Sequence, residues 1–218
     1  MQEINLLRAL PQSKRNVKAR LEAKDPDVIR IAKQYGDMYF DGPRDYGYGG
    51  YRYDGRWLPV AHDMIEHFNL KSGDRVLDVG CAKGFLVKDL MTACPGLEVF
   101  GLDISEYALK HCEPEVIGRL HRGSADNLPF PDGSFDAVIS LNTIHNFSRD
   151  RAIIAMSEIQ RVTKRDSFVQ VDSYHTPEQK TMFEEWVLTA EFHDYPEKWI
   201  ELFHEAGYKG DYYWTIVE

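Results

Sequence analysis

Apolar and polar positions alternate with two different periods from Leu58 to the end of the chain. Short apolar runs, typical of strands buried on both faces, are separated by segments whose apolar residues recur every three or four positions. This alternation indicates an α/β fold, a doubly wound and mainly parallel sheet with helices on both faces. The predicted strands are 74–80, 97–103, 118–121, 135–141, 168–171 and the C-terminal GDYYWTIV. The predicted helices are 58–69, 85–91, one capped by Ser105, 149–162, 177–190 and 196–206.

The first 57 residues differ in composition from the rest of the chain. Residues 1–35 are basic, and Asp25-Pro26-Asp27 followed by apolar positions predicts a capped short helix that stops near Gly36. Residues 41–57, DGPRDYGYGGYRYDGRW, hold five glycines, four tyrosines and three arginines, which disfavours a regular helix. We therefore predict N-terminal helices with a tyrosine-glycine-arginine loop at 1–57 and one compact domain at 58–218.

Composition narrows the functional classes. The 218 residues carry a formal net charge of −9, which disfavours a nucleic-acid partner, because nonspecific binding to phosphate backbones is largely cationic. Three cysteines are too few for a disulfide scaffold and favour a reducing, cytoplasmic location. No apolar run is long enough for a signal peptide core or a membrane span, so we expect no membrane association.

The sharpest motif is VLDVGCAKGF at 76–85, where an apolar strand ends in a turn of small residues. Ligands of open α/β sheets bind beyond the carboxyl ends of the strands, and Gly80, Ala82 and Gly84 allow close approach of the backbone. The dinucleotide pattern G-x-G-x-x-G would require glycine where this chain has Phe85. A nicotinamide-dependent dehydrogenase is therefore disfavoured.

Two further carboxylates follow predicted strands. Asp103 ends the second strand, where a carboxylate can accept hydrogen bonds from both ribose hydroxyls, although capping of the next helix is an equally ordinary role. Asp126 follows the third strand, where it can accept the exocyclic amine of an adenine while Ile104 covers the ring. The alternative for Asp126 is a turn residue in a polar connection.

These motifs resemble the class I S-adenosylmethionine (SAM)-dependent methyltransferases, in their small-molecule branch. The resemblance spans about 74–171 through LDVGCAKG, GLDIS, GSADNLPFPDGSFDAVIS and LNTIHN. It implies a Rossmann-like methyltransferase domain, SAM as cofactor and S-adenosylhomocysteine (SAH) as product. It also implies a seventh strand that this C-terminus does not supply. By resemblance, Gly80, Cys81 and Gly84 bind the methionine part, Asp78 its amino group, Asp103 the ribose, Ile104, Ala125 and Asp126 the adenine, and Asn142 lies near the sulfonium.

The residues after the fourth strand bear on the acceptor. Asn142-Thr143-Ile144-His145 lacks the Pro-Pro-aromatic tip of enzymes that methylate nucleic-acid amines. Apart from Asp172, no carboxylate that could belong to a metal-binding cluster is evident at the ends of these strands, so no metal site is predicted. His145 is the first candidate base because an imidazole suits proton removal near neutral pH, and His175 is the second. A structural role for His145 within its loop is the alternative.

The 41–57 segment is the predicted lid or acceptor wall. Guanidinium groups bind carboxylates and phosphates, so Arg44, Arg52 and Arg56 indicate the SAM carboxylate or an anionic acceptor nearby. Tyr46 and Tyr51 would orient a polar substrate; the alternative is a surface loop whose tyrosines pack on the sheet. The sequence thus favours methyl transfer to O or N of a small polar metabolite, a sugar or a phosphorylated or otherwise anionic acceptor. A non-catalytic SAM-binding partner, a different transfer from SAM such as aminopropyl transfer, and a homodimer stay open.

Overall fold

A single six-stranded sheet organises the molecule in a computed structural model that describes residues 1–11 and 15–217. The strand order is β3-β2-β1-β4-β5-β6, and every neighbouring pair is parallel. The order changes direction between β1 and β4, which places a ligand crevice beyond their carboxyl ends. The strands are β1 (Arg75–Val79), β2 (Glu98–Asp103), β3 (Leu120–Arg122), β4 (Phe135–Leu141), β5 (Thr163–Ser173) and β6 (Asp211–Ile216).

Helices cover both faces of this sheet. One core cluster packs α7 and α9 against the sheet, and a second packs α4 and α5 against the other face. The doubly wound α/β architecture predicted from the sequence is confirmed, while a lid function of the N-terminal part stays a prediction. The helices are α1 (Val17–Ala23), α2 (Pro26–Ala32), α3 (Asp37–Phe40), α4 (Leu58–His67), α5 (Phe85–Ala93), α6 (Glu106–Lys110), α7 (Arg149–Val162), α8 (Pro177–Trp186) and α9 (Pro196–Glu205).

Polar caps set several helix starts as the sequence predicted. The Asp25 side chain accepts the Val28 amide at the start of α2, and the Ser105 hydroxyl accepts the Ala108 amide at the start of α6. Among the elements after residue 57, two boundaries differ from prediction by more than two residues. Strand β5 begins at residue 163 rather than 168, and α8 ends at residue 186 rather than 190, because Val187 adopts an extended backbone.

The outer edge of β6 is covered by the N-terminus. Strand β6 pairs with β5 in parallel, and no antiparallel seventh strand occurs within residues 1–11 and 15–217. Instead, the Ile4 amide donates to the Tyr212 carbonyl at 2.9 Å, and the Tyr212 amide donates to the Gln2 carbonyl at 3.0 Å. These bonds satisfy backbone groups that an open sheet edge would expose. None of the described helices has the length and apolar character needed to cross a membrane.

Candidate functional site

A cavity of about 230 Å³ lies beyond the carboxyl ends of β1, β2 and β4. Its floor comes from the loops after these strands, and its roof comes from aromatic residues of the N-terminal part. Five sequence-predicted cofactor residues line it, which places them together at the edge where an α/β sheet binds ligands. They are Gly80, Asp103, Ile104, Ala125 and Asn142, under a roof of Tyr35, Tyr39, Phe40 and Tyr48.

Asp103 holds the turn after β1 in place. Its Oδ2 accepts the Ala82 amide at 2.7 Å, and its Oδ1 accepts the Ser105 amide at 2.7 Å. Burial raises the pKa of Asp103, although these amide bonds favour the charged form. A carboxylate has about four acceptor positions, so both oxygens keep a lone pair for a ribose hydroxyl.

Asp78, in β1, is buried and has no basic side chain within ion-pair distance among the described residues. Burial and then the nearby Asp103 raise the pKa of Asp78 to about 7. The positive charge of a ligand ammonium would stabilise the ionised Asp78 and so offset both its burial and the repulsion from Asp103. Asp78 does not itself line the cavity, so its contact with the SAM amino group stays a prediction.

The small residues of the turn have different surroundings. Gly80 has φ +87°, and a Cβ there would lie 1.8 Å from Thr143 Oγ1, so only glycine fits between the two loops. Gly84 and Cys81 do not line the cavity. The Cys81 thiol packs in the core against Gly101, where an added Cβ would lie 2.6 Å from the sulfur. Binding of methionine by Cys81 and Gly84 therefore stays a prediction that involves their backbone.

The adenine end of the cavity combines apolar and charged side chains. The Ile104 side chain is 52% exposed, which is unusual for isoleucine. An adenine ring stacked on it would bury this apolar surface. Ala125 is buried and lines the cavity. Asp126 does not line it: its Oδ2 accepts from Arg151 Nε at 2.7 Å, and its Oδ1 accepts from the Ser124 hydroxyl. Burial opposes ionisation of Asp126, but these two donors lower its pKa overall, and its bond to an adenine amine stays a prediction.

A second cavity of about 510 Å³ adjoins the first and is strongly cationic. The two share Tyr39, Tyr48, Asn142 and Thr189. Asp172 is the one carboxylate among the described residues that line the second cavity, against five guanidinium groups. Arg15, Arg20 and the neighbouring Trp186 were not predicted from the sequence. The basic character of residues 1–35 was the available signal for the two arginines. The five arginines are Arg15, Arg20, Arg44, Arg52 and Arg56.

The three arginines of the 41–57 segment line this cavity, and their binding of an anion stays a prediction. Arg44 donates to the backbone carbonyls of residues 47 and 48, Arg56 pairs with Asp54, and the exposed Arg52 makes no side-chain hydrogen bond to the described residues. Tyr51 lines the cavity and stacks on Phe85 with ring centroids 4.6 Å apart. Tyr46 packs instead against the small apolar cluster of α2 and does not line either cavity, so the structure does not bring it to the site.

Asn142 stands where the two cavities meet, and His145 lines the second cavity. Asn142 has φ +52°, its amide donates to Gln170 Oε1 at 3.0 Å, and it lines both cavities. His145 is buried in the second cavity, and its Nδ1 accepts the Asp172 amide at 3.2 Å. Because Nδ1 is an acceptor, neutral His145 carries its proton on Nε2, which is then a hydrogen-bond donor.

The two predicted bases therefore differ in position. Burial lowers the pKa of His145, with the nearby Asp172 acting in the opposite direction, so the imidazole is neutral near pH 7. In this tautomer the lone pair of a base is the one on Nδ1, so a role as base requires release of the amide bond there and stays a prediction. His175 is exposed before α8 and lies outside both cavities, so the structure does not bring it to the site. Within residues 1–11 and 15–217, no group of three or more His, Cys, Asp or Glu could hold a metal ion.

Comparison with known proteins agrees with this geometry. Residues 77–171 match the family described as "Methyltransferase domain". The chain is 36% identical over 119 residues to a demethylmenaquinone methyltransferase of Geobacillus kaustophilus, over 50% of this chain and 49% of that protein. It is 27% identical over 183 residues to the demethylmenaquinone methyltransferase of Thermotoga maritima, over 72% of this chain and 78% of the relative.

The chain thus spans about half the length of the Geobacillus relative. A crystal structure of a SAM-dependent methyltransferase from Aquifex aeolicus has the same fold, with a TM-score of 0.52 and 18% identity over 89% of each chain. The matched domain and the shared fold agree with the motifs in the sequence. The match over residues 77–171 to a methyltransferase domain therefore agrees with the resemblance to class I SAM-dependent methyltransferases that the sequence motifs indicate.

Proposed function

We propose that this protein transfers a methyl group from SAM to an oxygen or nitrogen atom of a small anionic metabolite. The observation that carries the proposal is the junction of two cavities at Asn142, one lined by five residues that the resemblance assigns to SAM and one lined by five arginines. The net charge of the whole chain is −9, so a cavity lined by five guanidinium groups contrasts with the rest of the protein. Guanidinium groups bind anions, so this cavity favours an anionic ligand.

The residues of the first cavity fit SAM. Gly80 lets the backbone of the turn come close to the ligand, Asp103 offers acceptors to the ribose, and Ile104 offers an apolar surface to the adenine. Bound SAM would supply an electrophilic methyl group on a positively charged sulfur. The protein's task is then to align an acceptor lone pair with that methyl group and to exclude water, which are large contributions in bimolecular transfer.

The acceptor would lie in the second cavity with its reactive atom toward Asn142. The arginines would bind its anionic group, and His145 would contact the reactive end through Nε2. A carboxylate or phosphate on the acceptor would form charge-assisted hydrogen bonds with guanidinium groups that now bond only backbone carbonyls, such as that of Arg44.

The test is SAH formation from SAM with a panel of phosphorylated sugars, amines and carboxylic acids. We expect turnover with an anionic acceptor and little with its neutral analogue. Asp103→Asn serves as the cofactor-site control and should reduce the rate with every acceptor. Binding of SAH without turnover on any acceptor in the panel would favour the alternative, a SAM-binding protein without catalysis.

A further inference from the structure

Three guanidinium groups surround one tryptophan at the end of the second cavity. The Cζ atoms of Arg15, Arg20 and Arg44 lie 5.9, 4.7 and 5.3 Å from the centroid of the Trp186 ring. Attraction to the π face accounts for the position of each cation singly. It does not account for three cations at one ring, because like charges held near the same ring repel each other.

The buried member of this group has no carboxylate partner. Arg20 is 6% exposed and donates only to the carbonyl oxygens of Asp45 and Gly47, at 2.8 and 3.3 Å. Among the described residues, no carboxylate lies within 4.0 Å of the Arg15, Arg20 or Arg44 guanidinium. Burial and then Arg44 lower the pKa of Arg20, and Asp45 offsets this only in part. A buried cation without a counterion is costly, so the arrangement favours a bound anion.

The cluster is separate from the cofactor. None of Arg15, Arg20, Arg44 and Trp186 lines the first cavity, whereas all four line the second. An anion held here would therefore belong to the acceptor rather than to the carboxylate of SAM. The cluster also lies in one continuous cavity with Asn142 and His145, so one molecule could reach from Trp186 to the methyl donor.

We propose that Arg15, Arg20 and Arg44 form a subsite for a phosphate monoester group of the acceptor. The proposal rests on the proposed function and deepens it by naming the acceptor's anionic group. A phosphate monoester carries close to two negative charges at neutral pH and three terminal acceptor oxygens, which suits three converging guanidinium groups. A single carboxylate would offer one charge and two oxygens.

The experiment is calorimetric titration of the SAH-loaded protein with inorganic phosphate, with citrate in parallel as a polycarboxylate. We expect phosphate to bind, and Arg44→Gln and Arg15→Gln each to weaken its affinity about tenfold, as expected for loss of one charge-assisted bond. Arg44 is the preferred variant because its side chain is exposed, so the fold should tolerate glutamine. Arg30→Gln, an exposed change on α2 outside both cavities, should leave phosphate affinity unchanged.

Equal phosphate affinity in all variants would overturn the subsite, as would citrate binding without phosphate binding. Neither result would touch the proposed function, provided SAH still binds. Failure of SAH to bind, with arginine-dependent phosphate binding retained by the free protein, would instead contradict the proposed function and leave the phosphate subsite standing.

Discussion

Lys83 Nζ lies 2.6 Å from Asp41 Oδ2, and this ion pair joins the turn after β1 to the first residue of the 41–57 segment. The ammonium also donates to the Tyr51 carbonyl at 2.9 Å, and Asp41 accepts from the Tyr107 hydroxyl at 2.8 Å. The Lys83 side chain is only 9% exposed. Direct contacts thus join the cofactor turn to the predicted lid, so a change in the conformation of one should alter the other.

Asp41→Asn should destabilise the fold by about 1–3 kcal/mol, because it leaves a largely buried ammonium with a neutral partner. Burial opposes ionisation of Asp41, but hydrogen bonds from Lys83, Tyr107 and the Tyr51 amide lower its pKa overall, so the carboxylate is charged at neutral pH. Chemical denaturation at pH 7 measures the change. Asp37→Asn, an exposed carboxylate four residues earlier, is the matched control and should change the stability by less than about 0.5 kcal/mol.

Asp103→Asn should weaken SAH binding by roughly a hundredfold. The amide keeps one acceptor oxygen, but it loses the charge that strengthens bonds from the ribose hydroxyls, and it must still serve the Ala82 or Ser105 amide. Calorimetry with SAH measures the loss, and circular dichroism checks the fold. A loss of less than threefold in a folded variant would remove Asp103 from the cofactor site.

SAH affinity should fall as the pH drops below about 7. The pKa of Asp78 is raised to about 7 in the free protein, so below that pH the carboxyl must lose a proton before it can pair with the ligand ammonium. We expect affinity to be about tenfold lower at pH 5.5 than at pH 7.5. Asp78→Asn should bind more weakly at both pH values, with most of this dependence lost; an unchanged pH profile in the variant would exclude Asp78 as its source.

The same raised pKa has a consequence for the stability of the ligand-free protein. A carboxyl whose folded pKa lies above its unfolded value binds protons more strongly in the folded state. The free energy of unfolding should therefore decrease as the pH rises from about 4 to about 7, and this contribution should be constant above that. Asp78→Asn should flatten this part of the stability profile, measured by denaturation of the ligand-free protein.

Much of the sheet and the cofactor turn could be predicted because their signals are local. Strand β4 and helix α7 have the predicted bounds, since an apolar run and a helical period are each complete within a short window. The cluster around Trp186 could not be predicted, because α1, the 41–57 segment and α8 meet there only in the folded chain. The environments of Asp126 and His145 could not be predicted either, because their partners are distant in the sequence. Arg151 is 25 positions from Asp126, and Asp172 is 27 positions from His145.

His145→Ala should leave SAH affinity within about threefold and lower turnover by roughly 10²–10⁴ if the imidazole acts on the reacting atom. His145→Gln distinguishes two roles, because glutamine can donate a hydrogen bond but cannot accept a proton as a base. A base predicts that both variants are equally slow, whereas a donor at Nε2 predicts partial recovery with glutamine. The buried imidazole has a lowered pKa, so activity that needs its neutral form should be lost only in acid, below pH 6.5. Unchanged turnover in both variants would leave proximity as the main source of catalysis.

Hydrogen exchange over 41–57 should slow when SAH binds, and slow further with an anionic acceptor. Five glycines give this segment high conformational entropy when free. However, Lys83 holds its start, and the Tyr53 hydroxyl donates to Asp89 Oδ1 of α5 at 2.5 Å near its end. These two anchors should confine motion to the residues between them, where Arg44 and Arg52 line the acceptor cavity. An ordered acceptor would neutralise those arginines and hold the segment closed, which also excludes water from the sulfonium.

The Asp41→Asn variant gives this measurement its control. Loss of the anchor at Lys83 should raise exchange over 41–57 in the free protein and enlarge the slowing caused by SAH, while the substitution should not change exchange in α7, which packs with α9 in a core cluster that does not include the 41–57 segment. If exchange over 41–57 is already slow in the free protein and SAH leaves it unaltered, the segment is a fixed wall of the acceptor cavity and not a lid.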